Sequence, residues 1–73
     1  MDDFRNRLVC TRKQRNLTQK ELAESIGASE RGIQNYEIGY RKPTFELLIS
    51  LADFFNVSID YLVGRTDNPE INK

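Results

Sequence analysis

Four polar side chains fall on one face of a short helix that the sequence predicts from about Ser29 to about Glu37. The helix period places them opposite the apolar residues Ile33 and Tyr36. The four are Glu30, Arg31, Gln34 and Asn35. A guanidinium can donate two hydrogen bonds to guanine O6 and N7, an amide can pair with adenine, and a carboxylate can accept from cytosine N4. This face therefore predicts hydrogen bonding to base edges.

Each of these residues also has an ordinary surface interpretation. Arg31 can be a solvated side chain, and an acid in the first turn, as at Glu30, is explained by the helix dipole alone. Asn35 and Gln34 lie one turn further along, where the amide of Asn35 can either pair with adenine N6 and N7 or, because the side chain is short, contact a phosphate instead. We favour Arg31 as the base contact, since bidentate donation from arginine to guanine is the commonest specific contact.

The composition argues against other chemistries. Cys10 is the only cysteine of the 73 residues and there is no histidine, which leaves no disulfide, no zinc site and no histidine general base. No apolar run approaches the roughly 18 residues of a membrane span. No apolar signal segment opens the chain. We therefore expect a cytoplasmic, soluble, non-enzymatic domain without a metal or other cofactor.

The charges are unevenly distributed along a chain whose net charge is zero. Residues 4–42 carry nine basic and four acidic side chains, whereas residues 43–73 carry two basic and five acidic ones. A nucleic-acid partner requires only a local positive face. The first half can supply that face, and the acidic second half can serve solubility or contact with another protein.

The elements that position the polar face are all predicted to be helical, because no segment shows the alternation of a strand. We expect an all-α domain over residues 1–64 and a polar, flexible tail over residues 65–73, which contains Pro69 and no periodicity. The predicted helices run from about Asp3 to Arg15, from Gln19 to Gly27, from Ser29 to Glu37, from Thr44 to Asn56, and briefly after Ser58.

The second and third helices form a unit. Thr18 and Glu21 have the spacing of a capping box, Gly27 allows a sharp turn, and Ser29 can cap the next helix. Apolar residues from both helices share one core, and the small Ala23 allows a close crossing. This arrangement predicts a helix-turn-helix.

The stretch LTQKELAESIGASERGIQNYEIGYRKP, followed by LADFFNVSIDYLVG, resembles the Cro/CI repressor family, also called XRE-type regulators, across nearly the whole chain. The resemblance implies a five-helix lambda-repressor-like bundle and a transcriptional regulator. It also implies a homodimer that binds a pseudo-palindromic operator in double-stranded DNA. In this family pattern, Glu30, Arg31 and Asn35 contact bases, and Gln19 contacts DNA from the start of the second helix.

Arg12 stands on the inward face of the first helix, one i, i+4 step beyond Phe4 and Leu8. An unpaired charge on this inward face lowers the free energy of unfolding by roughly several kcal/mol, so Arg12 requires an acidic partner. The family resemblance implies that this partner is Glu37, at the end of the third helix.

We expect contacts to the DNA backbone around the polar face. Thr18 and Gln19 are first of all a helix start, and Gly32 can either allow close approach to the groove or be a tolerated helix glycine. The loop after the third helix can follow the sugar-phosphate backbone. The full predicted set is Thr18, Gln19, Ser29, Gly32, Tyr40, Arg41 and Lys42. Arg7, Arg15 and Lys20 are expected to form a solvated face that adds to the long-range field.

The fourth helix and its successor carry more apolar residues than one buried stripe needs. The surplus is either ordinary surface exposure or a dimer surface. We prefer a dimer, because the third helices of two copies, held about 34 Å apart, would occupy successive major grooves of DNA. The candidate dimer residues are Leu47, Ile49, Phe54, Ile59, Tyr61 and Val63.

Two functions remain open at this point. The first is a repressor that occupies an operator. The second is the antitoxin of a toxin–antitoxin pair, whose main task is to bind another protein. An antitoxin needs a segment that wraps its partner, and the tail after Gly64 is short and polar.

Overall fold

The computed structural model describes residues 2–70, with the backbone only at Asp2. Five α-helices and no strand are present in this range, so the predicted all-α fold is confirmed. The helices are α1 (Asp2–Gln14), α2 (Gln19–Ile26), α3 (Glu30–Glu37), α4 (Phe45–Phe55) and α5 (Ile59–Leu62). None of the helices in the described range is long and apolar enough to cross a membrane.

Local side-chain chemistry sets the helix boundaries. Thr18, Ser29, Thr44 and Ser58 each have extended backbone, and the side chain of each accepts a hydrogen bond from an N–H of the first turn that follows. α1 and α4 are followed by Asn16 and Asn56 in the left-handed conformation, and Gly27 ends α2 in the same way. The predicted helices therefore occur within one or two residues of their expected ends.

The core lies where α1, α2, α3, α4 and α5 meet. Its fully buried large side chains come from all five helices and are Phe4, Leu8, Leu22, Ile33, Leu51, Phe55 and Leu62. Burying such a side chain contributes about 1.5–3 kcal/mol. Ala23 is also buried, and it allows α2 and α3 to cross closely.

The burial of four side chains depends on their position in the fold more than on their residue type. Thr11 is buried because it lies one i, i+3 step beyond Leu8, whereas Val9 is only partly buried. Val57 is buried because the chain reverses after Asn56 and folds it under α4. Leu48 of α4 is only partly buried and packs against the core.

The segment after α5 returns to the domain surface. The Ser58 N–H donates to the Pro69 carbonyl oxygen at 2.9 Å, and the Arg7 guanidinium bonds the Asp67 carboxylate at 2.6 Å. Arg7 also lies over the Tyr61 ring, 4.1 Å from its centroid. Residues 65–70 form no helix or strand, and residues 71–73 of the predicted tail lie outside the described range. The flexibility of this tail stays a prediction.

Arg7 is partly buried and bonded to the domain, so the prediction of a solvated face is wrong for Arg7, whereas Arg15 and Lys20 are exposed. Arg15 donates to the carbonyl oxygen of Phe55, at the end of α4, and its guanidinium lies 5.6 Å from the Phe55 ring centroid. Arg7 of α1 and Arg15, which follows α1, thus both contact the second half of the chain. Sequence periodicity does not reveal this, because each partner lies at least 40 residues away.

Candidate nucleic-acid interface

α2 and α3 are joined by a tight turn. Gly27 has a φ of 72°, and the Ala28 N–H donates to the Ala23 carbonyl oxygen at 2.8 Å. A residue with a side chain is strained at this φ, which explains the glycine. Leu22 and Ile33 are fully buried beside the turn, so they fix the position of α3 relative to α2.

α3 presents its polar face to solvent. Glu30, Arg31 and Gln34 are exposed, whereas Asn35 is partly buried. None of these four side chains forms a hydrogen bond or ion pair with another group of residues 2–70. The structure therefore leaves the predicted base-contacting groups available to an external partner, with Asn35 the least accessible of them.

The first turn of α3 explains Gly32. The Ser29 hydroxyl oxygen accepts a hydrogen bond from the Gly32 N–H at 3.0 Å. A Cβ added at Gly32 would lie 3.1 Å from that oxygen, which is closer than nearly all real Cβ contacts. Gly32 therefore leaves room for the cap, and this reason is independent of any approach to DNA.

α3 is held at its other end by Arg12. Arg12 Nε donates to Glu37 Oε2 at 2.6 Å, and Nη2 donates to Oε1 at 3.1 Å. Arg12 Nη1 also donates to the Leu17 carbonyl oxygen at 2.8 Å. The two side chains are only 12% and 6% exposed. The structure thus gives the inward Arg12 an acidic partner, and the pair joins α1 to the end of α3.

Gln19, the first residue of α2, contacts the same carboxylate. Its Nε2 donates to Glu37 Oε1 at 3.0 Å. The family resemblance implies a DNA contact for Gln19, and the sequence carries no signal for this bond, because no local pattern relates residues 18 positions apart. Gln19 is partly buried, so part of its amide still reaches the surface.

The predicted capping box is present at the start of α2. The Thr18 N–H donates to Glu21 Oε1 at 2.8 Å, and the Glu21 N–H donates to the Thr18 hydroxyl oxygen at 3.0 Å. The backbone N–H of Thr18, and then its hydroxyl, hold the pKa of Glu21 below its ordinary value. The Thr18 side chain and N–H are thus occupied by the helix start.

This capping box predicts a pH dependence. The pKa of Glu21 is lower in the folded state than in the unfolded state. The ionised carboxylate therefore adds to the free energy of unfolding above the unfolded-state pKa, and this addition is lost as pH falls through the folded-state pKa. We expect the stability difference between the wild type and E21Q to shrink as pH falls. Urea unfolding at a series of pH values measures this. E24Q, on the same helix but outside the capping box, is the control, and a constant E21Q difference would contradict the prediction.

The loop after α3 is fixed by backbone bonds. The N–H groups of Tyr40 and Arg41 donate to the Asn35 carbonyl oxygen at 2.9 and 3.3 Å, and Gly39 has a φ of 80°. Arg5 Nη1 donates to the Ile38 carbonyl oxygen at 3.1 Å. The side chains of residues 40–42 are exposed. The backbone of this loop is therefore anchored to α3, and the loop carries the exposed cations Arg41 and Lys42.

Large apolar side chains border this loop. Ile38, Tyr40 and Phe45 are 66%, 74% and 69% exposed. The sequence reasoning assigned a role only to Tyr40. Ile38 and Phe45 lie at helix ends, since Ile38 follows the last residue of α3 and Phe45 is the first residue of α4. This position is the feature that could have indicated their exposure.

The candidate dimer residues are not equally accessible. Ile49 and Phe54 are 37% and 36% exposed, whereas Leu47, Ile59 and Tyr61 pack against the core. Val63 is partly buried. A shallow groove of about 310 Å³ opens between α4 and α5, and Ile49, Val57 and Ile59 line it.

In the described part of the chain, no cluster of acidic, cysteine or histidine side chains could hold a metal ion.

Comparison with known proteins identifies the family of this arrangement. The helix-turn-helix family profile matches residues 11–62, which include α2, α3 and α4 in full. The chain belongs to this helix-turn-helix family. Its resemblance to regulators of the Cro/CI type is thereby confirmed, and the family is non-enzymatic.

Two helix-turn-helix relatives illustrate the similarity. The chain is 37% identical over 67 residues to the HTH-type transcriptional regulator ImmR of Bacillus subtilis. The aligned segment covers 92% of this chain and 53% of ImmR. It is 43% identical over 62 residues to the cryptic phage CTXphi transcriptional repressor RstR of Vibrio cholerae, which covers 85% of this chain and 55% of RstR.

A solved helix-turn-helix structure has the same fold. The crystal structure of a transcriptional regulator from Listeria innocua superimposes with a TM-score of 0.78 and 38% sequence identity. The match covers 84% of this chain and 57% of that one. The chain therefore spans little more than half the length of these relatives.

Proposed function

We propose that this helix-turn-helix domain represses transcription by binding a pseudo-palindromic operator as a homodimer, with α3 in the major groove. The single observation that carries the proposal is the exposed polar face of α3 on a helix whose position is fixed at both ends. Ser29 caps its start, and Arg12 holds its last residue through Glu37. A side chain reads bases only if the backbone beneath it is fixed, and this arrangement supplies that condition.

Backbone contacts support the same docking. Arg41 and Lys42 lie directly after α3, and they provide positive charge where the sugar-phosphate backbone runs beside a helix in the groove. The relatives ImmR and RstR carry the names of a transcriptional regulator and a phage repressor. These names favour a regulator over a toxin-binding antitoxin. A cytoplasmic location goes with this function.

The dimer part of the proposal rests on α4 and α5. Ile49 and Phe54 are the most exposed of the candidate residues there, and Ile49 lines a groove that also holds Asp53 and Asp60. A two-fold contact through this face requires both α3 helices of the dimer to remain exposed. Tyr61 contributes less to such a contact, because Arg7 covers its ring.

Selection of binding sites from random double-stranded DNA tests the proposal. We expect one enriched inverted repeat with half-sites separated by about one helical turn, 10–10.5 base pairs from centre to centre. A single unrepeated half-site would contradict the dimer. Absence of any enriched sequence would contradict sequence-specific binding.

Lys42 is expected to act through phosphate alone. K42A should weaken binding to the selected operator and to unrelated duplexes by the same factor, because a phosphate contact carries no sequence information. It should also reduce the slope of log K against log salt by about 0.9. Titrations at several salt concentrations measure the slope. An unchanged slope would remove Lys42 from the interface.

A further inference from the structure

The side chain of Arg5, on α1, lies across the loop that follows α3. Its Nη1 donates to the Ile38 carbonyl oxygen at 3.1 Å. A Cβ added at Gly39 would lie 2.7 Å from Arg5 Cδ and 2.9 Å from Nη1, closer than real Cβ atoms approach other atoms. Arg5 therefore occupies the space that a side chain at position 39 would fill, and α1 supports the backbone of the loop at this point.

Gly39 meets two requirements in this loop. Its φ of 80° lies in the left-handed region, which glycine adopts without strain. Asn16 and Asn56 also adopt a positive φ in this chain, so a left-handed turn here does not by itself require a glycine. The missing Cβ of Gly39 is the additional feature, because it lets the Arg5 side chain rest against the backbone.

The loop is attached to α3 on its other side. The N–H groups of Tyr40 and Arg41 donate to the Asn35 carbonyl oxygen at 2.9 and 3.3 Å. These bonds connect the loop only to the helix from which it leaves. Arg5 adds a support from a second helix, while the side chains of residues 40–42 stay exposed.

We propose that Arg5 is a positioning residue for operator binding, which holds the loop of residues 38–42 so that the Lys42 ammonium meets a DNA phosphate. The inference rests on the proposed function of the domain, in which Lys42 contacts the DNA backbone. A loop that is fixed before DNA arrives loses less conformational entropy on binding, so the contact is stronger. Direct donation from Arg5 to a phosphate is the competing explanation, and the binding experiment separates the two.

Hydrogen exchange of the loop amides tests the support without DNA. R5M keeps a long apolar side chain and removes the donor. We expect the N–H groups of Tyr40 and Arg41 to exchange about 2- to 10-fold faster in R5M, the range for one hydrogen bond. The N–H of Leu51, in the buried part of α4, reports global unfolding and should change less. Loop amides that exchange at the wild-type rate in R5M would overturn the proposal.

A double-mutant cycle on the selected operator tests the action on DNA. K42A and R5M should each reduce the slope of log K against log salt by about 0.9, because both lose the same phosphate contact. The double variant R5M/K42A should therefore also lose about 0.9. A loss of about 1.8 in the double variant would overturn the proposal, since Arg5 and Lys42 would then contact separate phosphates.

R7M is the matched control for both experiments. Arg7 is the next arginine of α1, and it bonds Asp67 and covers the Tyr61 ring instead of contacting the loop. R7M thus removes the same charge from the same helix. It should leave the exchange of the loop amides at the wild-type rate, and K42A should keep its full slope change in the R7M background.

A side chain at position 39 disturbs the same contact from the other partner. G39A places a Cβ where Arg5 Cδ lies, so Arg5 must move. We expect K42A to cause almost no further slope change in the G39A background. G27A is the control, because Gly27 also has a positive φ, of 72°, but a Cβ there meets no atom within 4 Å. A full K42A slope change in G39A would overturn the proposal.

The positioning role and the proposed function fail in different ways. If the wild type binds no duplex with sequence preference, the proposed function is wrong, whatever R5M does to the loop amides. If the wild type binds its operator and the slope losses of R5M and K42A add, only the positioning role of Arg5 is wrong.

Discussion

R12M should lower the free energy of unfolding by about 3–5 kcal/mol, because it leaves the Glu37 carboxylate buried without its cation. Domains of this kind have a total stability of about 5–15 kcal/mol, so this loss is a large part of it. Urea unfolding followed by circular dichroism measures the change. R12K provides a milder variant, since lysine keeps the charge but lacks the planar fork that bonds both carboxylate oxygens.

The exposed pair between Arg65 and Asp60 is the matched control. Its charged atoms lie 3.9 Å apart and both side chains are largely exposed. D60N should therefore change the stability by less than about 1 kcal/mol. The double variant R12M/E37M should recover much of the R12M loss, because no unpaired charge remains. An R12M loss as small as that of D60N would contradict the buried-pair account.

R31A should weaken binding to the selected operator by about 5- to 150-fold, which corresponds to roughly 1–3 kcal/mol. The reason is that Arg31 is an exposed cation on the polar face of α3, close to the capped start of the helix. The loss should be confined to the operator, and the preference at one base pair should relax. Competition titrations with every substitution at each operator position measure both effects.

Two variants separate base recognition from charge. R31K keeps the positive charge but not the bidentate geometry, so it should relax the same base preference and bind unrelated DNA as the wild type does. R65A removes another exposed arginine, which lies after α5 and outside the helix-turn-helix, and it should leave the operator preference unchanged. A uniform loss for R31A across all sequences would show that Arg31 contacts only phosphate.

The helix-turn-helix could be predicted from the sequence because its signals are local. Thr18 with Glu21, Gly27 and Ser29 each fix a boundary through contacts within a few residues, and the structure places the boundaries there. The helix period alone also showed that Arg12 faces inward. In these cases the chemistry of one short segment determines the outcome.

The remaining contacts depend on packing between distant segments. The Gln19 bond to Glu37 and the Arg5 bond to the Ile38 carbonyl oxygen exist only because α1, α2 and α3 meet at one end of the bundle. A backbone carbonyl acceptor, such as that of Ile38, has no signature in the sequence. Val57 is buried for a similar reason, since the turn at Asn56 determines its direction.

The burial of apolar side chains was the least predictable property of the second half. Leu47, Ile59 and Tyr61 were candidates for a dimer surface, and the structure packs all three partly against the core. Phe45 received no role and is largely exposed. A short helix with many apolar residues has no unique buried stripe in its sequence, so only the arrangement of α4 and α5 decides which residues are covered.

The most direct test of sequence-specific binding is the affinity ratio between the selected operator and a shuffled duplex of the same length and composition. Both titrations use the wild type at one salt concentration, so that the phosphate contribution is the same. We expect the operator to bind about 1,000-fold more tightly or better. Equal affinities for the two duplexes would contradict the claim that α3 reads base sequence.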